Sequence, residues 1–375
     1  MKNIVLILVL CSQFILSQYP GDDIVRQGVH LFYNYETDSA VAILTTARVS
    51  YPNHPAVHLT WASARWLNNQ TRLDIQSTYT YLMQDLDEII PVYDRLIDSF
   101  PNDPQYRLYL GSAKGLKARV HLGRKEWFST LVAAYSGFSI IRDVAKRNPD
   151  IPDTQLPIGI VEYYASLSNP VIRWSASLFG LETTAEAGLE KIKNAADNGE
   201  WSWIEASSIY AFLNLWVENR PDTGLVYAKK LIRHFPRNYY FNIMYVDGLL
   251  RTGADDAARI HLQKLEHDLS SLTQIQQSWY RPYWMYEMAY ASFLEKDDDT
   301  ALELVMAAID NYQAELDIVL ANAYLLLGMI EDRAGNREAA VAAYSTCVNL
   351  GNYAHAISEA RLFLETPFDG QEHDN

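Results

Sequence analysis

Residues 321–350 read ANAYLLLGMIEDRAGNREAAVAAYSTCVNL. Gly328 and Ala340 are small enough to let the two helices of a pair come close together, and Tyr324, Leu327 and Tyr344 are placed to fill the space between them. A single helix pair leaves an apolar face that only another pair can cover, so this stretch predicts a repeat.

The repeat shows in its punctuation. SYPNHP at 50–55, SFPNDP at 99–104 and HFPRNY at 234–239 are nearly the same phrase. In residues 38–68, DSAVAILTTARVSYPNHPAVHLTWASARWLN, apolar residues recur three and four apart on both sides of that phrase. Pro52 stops one helix, while Asn53 or His54 caps the next with Pro55 in its first turn. With Ala340 as the marker of a second helix, comparable positions fall at Ala40, Ile89, Gly137, Gly188, Gly224, Ala258 and Ala301, with spacings of 34 to 51 residues. Pro52, Pro101, Pro149 and Pro236 each stand twelve residues after a marker. Ile89 is large for such a site, and the long spacings ask for extended helices or inserted loops. No convincing run of alternating strand residues occurs, so the chain reads as all-α.

Tyr324, Leu327 and Gly328 stand at the W-x2-L-G spacing of the tetratricopeptide repeat (TPR), and Ala340 with Tyr344 gives its A-x3-F half. Gly28 and Ala47 match two more small positions of the pattern, twelve residues before and seven after Ala40. The chain therefore resembles the TPR family, departing at Glu331, where the pattern has Tyr, and lacking a proline after the 321–350 unit. The resemblance implies an α-solenoid of about eight TPR-like helix pairs whose contacts stay local in sequence. A looser resemblance covers roughly 155–240. There LPIGIVEYYASLSNPVIRWSASLFGL, AGLEKIKNAADNGEW and HFPRN follow one another as in secreted bacterial TPR proteins of unassigned function, and distantly as in the eukaryotic family that contains the inclusion-body clearance protein. It implies a fold and no catalytic residues.

The 375 residues exceed the roughly 250–300 at which one compact core stops growing, as a repeat array allows. The first residues, MKNIVLILVLCSQFILSQ, place one cation, an apolar run from Ile4 to Leu10 and a small Ser17 in the order of a secretory signal cut near Ser17. Ser12 and Gln13 interrupt the apolar run before the length of a spanning helix. The expected organisation is a signal at 1–17, N-terminal pairs with long helices at 18–154, an apolar hairpin and connecting pair at 155–200, C-terminal pairs at 201–366 and a polar tail at 367–375. The expected location is the periplasm or outer membrane. Cleavage leaves Cys347 as the one cysteine, in a small-residue site that suits a buried thiol, and takes the net charge from −15 to −16. That charge disfavours nucleic acid and anionic lipid as partners.

No phosphate loop, HExxH, paired CxxC or nucleophile elbow is present, so neither a catalytic residue nor a metal or other cofactor is expected. His54 and His58 share a helix face without a third ligand, and capping explains His54 more simply. KDDDT at 296–300 concentrates carboxylates that suit the N-terminus of the helix around Ala301. Only Glu162 and Arg173 are charged between 156 and 181, which makes that segment a buried hairpin or, less simply, a contact with a membrane surface. The most unusual feature is SWYRPYWMYEMAYASF at 278–293: Tyr283, Tyr286, Tyr290 and Phe293 form a stripe, with Trp216 and Tyr240 in corresponding places in the two preceding pairs. In TPR proteins that side of the first helix lines a concave groove, so these six residues are candidate contacts for a protein or peptide; packing between repeats is the alternative. The function read from these features is a non-catalytic scaffold binding a protein or extended peptide. Glycan binding or processing and a purely structural assembly role are the rivals, and the oligomeric state is left open.

Overall fold

The computed structural model describes residues 19–370 except 125, 169, 171–173, 175–180, 183 and 315. The signal-like segment lies outside these residues, as does most of the second half of the apolar stretch at 156–181. The described residues form seventeen α-helices, one short 3-10 turn at Pro152–Thr154 and no strand. Eight consecutive pairs account for all but the last helix: α1 (Asp22–Tyr33) with α2 (Thr37–Ser50), α3 (Val57–Gln70) with α4 (Ile75–Ser99), α5 (Pro104–Gly123) with α6 (Trp127–Arg147), and α7 (Gln155–Leu167) with α8 (Ala185–Asn198). Then come α9 (Trp203–Trp216) with α10 (Pro221–His234), α11 (Tyr239–Arg251) with α12 (Asp255–Leu269), α13 (Gln274–Leu294) with α14 (Asp298–Asp310), and α15 (Ile318–Arg333) with α16 (Arg337–Asn349). A final α17 (His355–Glu365) covers the open face of the last pair. No helix among the described residues is long and apolar enough to cross a membrane.

All eight sequence markers fall on the second helix of a pair, and all are buried. The reason is steric. A Cβ on Gly224 would come within 2.5 Å of the Leu215 side chain, and one on Gly188 would sit 2.6 Å from the Tyr163 backbone nitrogen. Ile89 is accommodated in the 25-residue α4 with no exposed surface. A second device recurs at the turn inside the pairs, where a residue two or three positions past the end of the first helix adopts a left-handed conformation: Tyr35, Asn219, Gly253, Lys296 and Gly335 have φ between 51° and 80°. The cap expected of Asn53 or His54 needs correction: α3 begins at Val57, beyond Pro55, with Ala56 at its N-cap and no side-chain cap, because His54 Nδ1 is spent on the turn before it, accepting from the Ala56 amide at 3.1 Å. Asp297 does cap α14, accepting from the Thr300 amide at 3.3 Å. His58 is also occupied, accepting from Arg48 Nε at 3.0 Å and donating to the Pro52 carbonyl at 2.8 Å. Cys347 has no exposed surface, and burial pushes its thiol up to about 12.

The expectation that contacts stay local in sequence needs correction. The array coils until its first two pairs meet segments some two hundred residues later. Asn238 Nδ2 donates to the Tyr33 carbonyl at 2.8 Å, the Tyr35 and Tyr280 hydroxyls lie 2.6 Å apart, and Thr273 Oγ1 donates to the Thr71 carbonyl at 2.7 Å. Val29, Tyr33 and Tyr35 pack on the large C-terminal core, while Trp201 packs on the N-terminal one. A small per-repeat rotation, summed over several pairs, returns the chain onto itself. Asp153 fastens the midpoint, its carboxylate accepting the amides of Glu200, Trp201 and Ser202 at 3.0, 2.8 and 2.6 Å just before α9.

Neighbouring pairs meet mainly through the second helix of one against the first helix of the next, and beyond that through their first helices. α1 meets α3, α11 meets α13, α15 meets α17, and α9 reaches across to α15, whereas no second helix makes comparable contact with another. The first helices therefore line the inner face.

The α7–α8 pair tests the small-residue rule directly, because backbone faces backbone there, as it also does between Gly111 and Gly137 of α5 and α6. Gly188→Ala should cost about 1–3 kcal/mol in chemical denaturation. Gly115→Ala, on an exposed face of α5 where a Cβ meets nothing within 4 Å, should instead stabilise by about 0.5–1 kcal/mol. An unchanged midpoint for Gly188→Ala would mean that the helices are free to separate.

Candidate functional site

Helix α11, YYFNIMYVDGLLR, is buried on nearly every side, so the two charges it carries must be compensated inside the protein. They are one turn apart and pair: Arg251 Nε donates to Asp247 Oδ2 at 2.8 Å. The guanidinium then crosses to two further first helices. Nη2 donates to Asn322 Oδ1 on α15 at 3.0 Å and to the Tyr286 hydroxyl on α13 at 3.3 Å, and its carbon lies 5.6 Å from the centre of the Tyr290 ring. Tyr286 and Tyr290 are themselves stacked, with ring planes 9° apart.

Beside this cluster is a cavity of about 280 Å³. Its walls come from successive first helices: Arg251 of α11, Tyr286 and Tyr290 of α13, Asn322, Leu325, Leu326 and Met329 of α15, and Glu359, Leu362 and Phe363 of α17. Asn219, Pro221 and Phe368 complete the lining. The cavity thus presents a largely polar lining, with a guanidinium and an amide held in fixed positions beside the apolar side chains of α15 and α17, an arrangement suited to one side chain and a short length of backbone.

Behind the wall lies a second carboxyl group. Glu287 and Asp247 have no exposed surface, and both Glu287 oxygens and Asp247 Oδ1 lack a protein hydrogen-bond partner. The Trp216 indole favours the charged form of Asp247 without reaching hydrogen-bond geometry. Burial, then the charge on Asp247, push Glu287 well above the usual carboxyl range, with Arg251 opposing. Burial raises Asp247 as well, and the charge and hydrogen bond of Arg251 offset only part of that rise. Arg251 bonds Asp247 and not Glu287, so of the two groups Glu287 is the one on which a proton is favoured. No group of three or more His, Cys, Asp or Glu suited to a metal ion occurs among the described residues.

No family model matches the chain, and no curated protein does. Solved structures with a similar helix arrangement include PilW, a type IV pilus biogenesis factor, at 16% identity and a TM-score of 0.37, covering 67% of this chain and 98% of that one. A tetratricopeptide repeat protein from Parabacteroides merdae aligns at 13% identity and 0.32, covering 83% and 98%. A Rap protein complexed with competence and sporulation factor aligns at 12% and 0.39, covering 93% and 80%. The fold is a TPR-like helical repeat. These neighbours superpose loosely and lend it no partner.

The six aromatic residues expected in a groove do not form one surface. Tyr286 and Tyr290 line the cavity. Phe293, one turn further along α13, is buried beneath Arg333, whose guanidinium lies 3.7 Å above its ring. Tyr240 and Tyr283 are half-buried in a second cluster, their ring centres 6.3 Å apart and Tyr283 5.7 Å from Tyr312. Trp216 is fully buried against Phe212 and has no surface to offer a ligand. Arg251, Asp247 and Asn322 were missed by the sequence reading. The signal was available in part, since an Asp and an Arg four apart are the only charges in an otherwise apolar helix.

The raised Glu287 makes stability depend on pH. The folded state holds this proton more tightly than the unfolded chain, so the contribution is complete below the ordinary glutamate value of about 4.3 and is lost as pH rises toward the folded value. Glu287→Gln removes that loss. Its melting temperature relative to the parent should rise between pH 5 and pH 8, and a constant difference would show that Glu287 is not protonated in the fold.

Proposed function

We propose that this protein is a non-catalytic scaffold that is exported to the cell envelope, periplasm or outer membrane, and holds an extended segment of a partner protein against its inner face. The cavity carries the reading. Its apolar wall of Leu325, Leu326, Met329 and Leu362 suits an apolar side chain of the bound segment, while Arg251 and Asn322 offer fixed hydrogen-bonding positions at its edge. Because Arg251 is already tied to Asp247, Tyr286 and Asn322, binding costs little further ordering of that side chain. The net charge of −15 favours a partner segment with basic flanks and disfavours nucleic acid. Export is supported by the order of Lys2, the apolar run and Ser17.

Leu362 and Glu359 test the cavity without disturbing the core. Leu362 is 51% exposed, and Glu359 makes only a 3.2 Å surface ion pair with His355. In a crosslinking pulldown from cells that make the protein, Leu362→Asp with Glu359→Lys should reduce capture of the partner at least tenfold at unchanged helicity. Equal capture would place the interface elsewhere. Amino-terminal sequencing of the exported chain should give a start near residue 18, and an intact Met1 would overturn export by cleavage.

A further inference from the structure

Residues 367–370, which open the stretch read from sequence as a polar tail, do not leave the fold. They turn back so that Phe368 is 6% exposed, with its ring centre 5.4 Å from Phe363 and 5.9 Å from Phe293. Their backbone is pinned as well. The Phe368 amide donates to Asp332 Oδ2 at 2.9 Å. Asp332 is a fixed acceptor, its side chain 2% exposed and held by Arg337 Nη1 at 2.9 Å and by the Tyr344 hydroxyl at 3.1 Å. Thr366 is extended, at φ −128° and ψ 119°, and Pro367 restricts the approach to the aromatic residue.

A short extended strand, an aromatic side chain in an apolar seat and one backbone amide on a buried carboxylate are the elements by which a groove holds a foreign peptide. Here the chain supplies that peptide itself, at the end of the same cavity that Arg251 and Tyr286 line. We infer that residues 366–370 act as an internal ligand, and that the external partner is an extended peptide whose aromatic side chain displaces Phe368 from its seat on Phe293 and Phe363. This inference rests on the proposed function and specifies its partner. The tether makes the competition intramolecular, so a peptide must overcome an effective tail concentration of the order of millimolar. Occupancy of the seat then regulates access to the cavity beside it.

The probe is a fluorescent peptide of residues 364–375, LETPFDGQEHDN, and its Phe368→Ala counterpart, titrated against the full-length protein and its Phe368→Ala variant. The parent peptide should bind the Phe368→Ala protein at least tenfold more tightly than the unaltered protein, and the Ala peptide should bind neither. Equal binding of both peptides to the Phe368→Ala protein, or no binding by a variant that keeps its helicity, overturns the inference. A second measurement needs no variant: hydrogen exchange of the Phe368 amide in the unaltered protein. Exchange well before the core amides of α15 supports a displaceable segment, and exchange only on global unfolding overturns it. Either failure leaves the partner reading standing, because the Leu362 and Glu359 pulldown examines the cavity apart from the seat.

Discussion

Everything in this molecule depends on how closely the two helices of each pair can approach. A small residue at one place on the second helix lets the first helix come down onto it, and in the α7–α8 pair the gap closes until Gly159 and Gly188 meet backbone to backbone. Packing this tight within a pair still leaves one flank of the pair apolar, and only the next pair can cover it. The chain is therefore committed to propagate. Because first helices of different pairs touch one another and second helices do not, the array curves with the first helices inside, and curvature over six to seven pairs brings Tyr33 and Tyr35 back against residues 238 and 280.

The inner face created in this way is not uniformly apolar. Arg251 joins α11, α13 and α15 through Asp247, Tyr286 and Asn322. Apolar faces tolerate small slides past one another, whereas a guanidinium with three directed partners does not. The cluster thus fixes the positions of Tyr286 and Tyr290 and with them the shape of the cavity. Glu287 is the cost of this arrangement, a second carboxyl group kept neutral behind the wall because the one cation there is already engaged.

The helix pairs were legible because their signals are local: a small residue, a proline twelve positions on, and apolar spacing on either side. The marker at Ile89 was legible even though its size breaks the rule, since the regular spacing identifies the place. The candidate site was only partly legible. Tyr286, Tyr290 and Phe293 share a helix face, and periodicity shows that much. It does not show that Arg333 covers Phe293, or that Trp216 sits behind the wall, because those neighbours arrive from other helices. Phe368 escaped notice for the same reason: five charged and polar neighbours make its surroundings read as solvent, and the seat that buries it is built from α13 and α17.

By itself, then, the order of residues determined an all-α chain of eight pairs, the places where helices stop and start, and the acidic surface that any partner must meet. These follow from sterics and charge acting over a few residues. The tertiary structure alone decided which aromatic residues face the cavity, which carboxyl group keeps its proton, and where the last residues of the described chain lie. Each of these depends on side chains brought together by the summed rotation of many pairs, a quantity that no single stretch of sequence encodes.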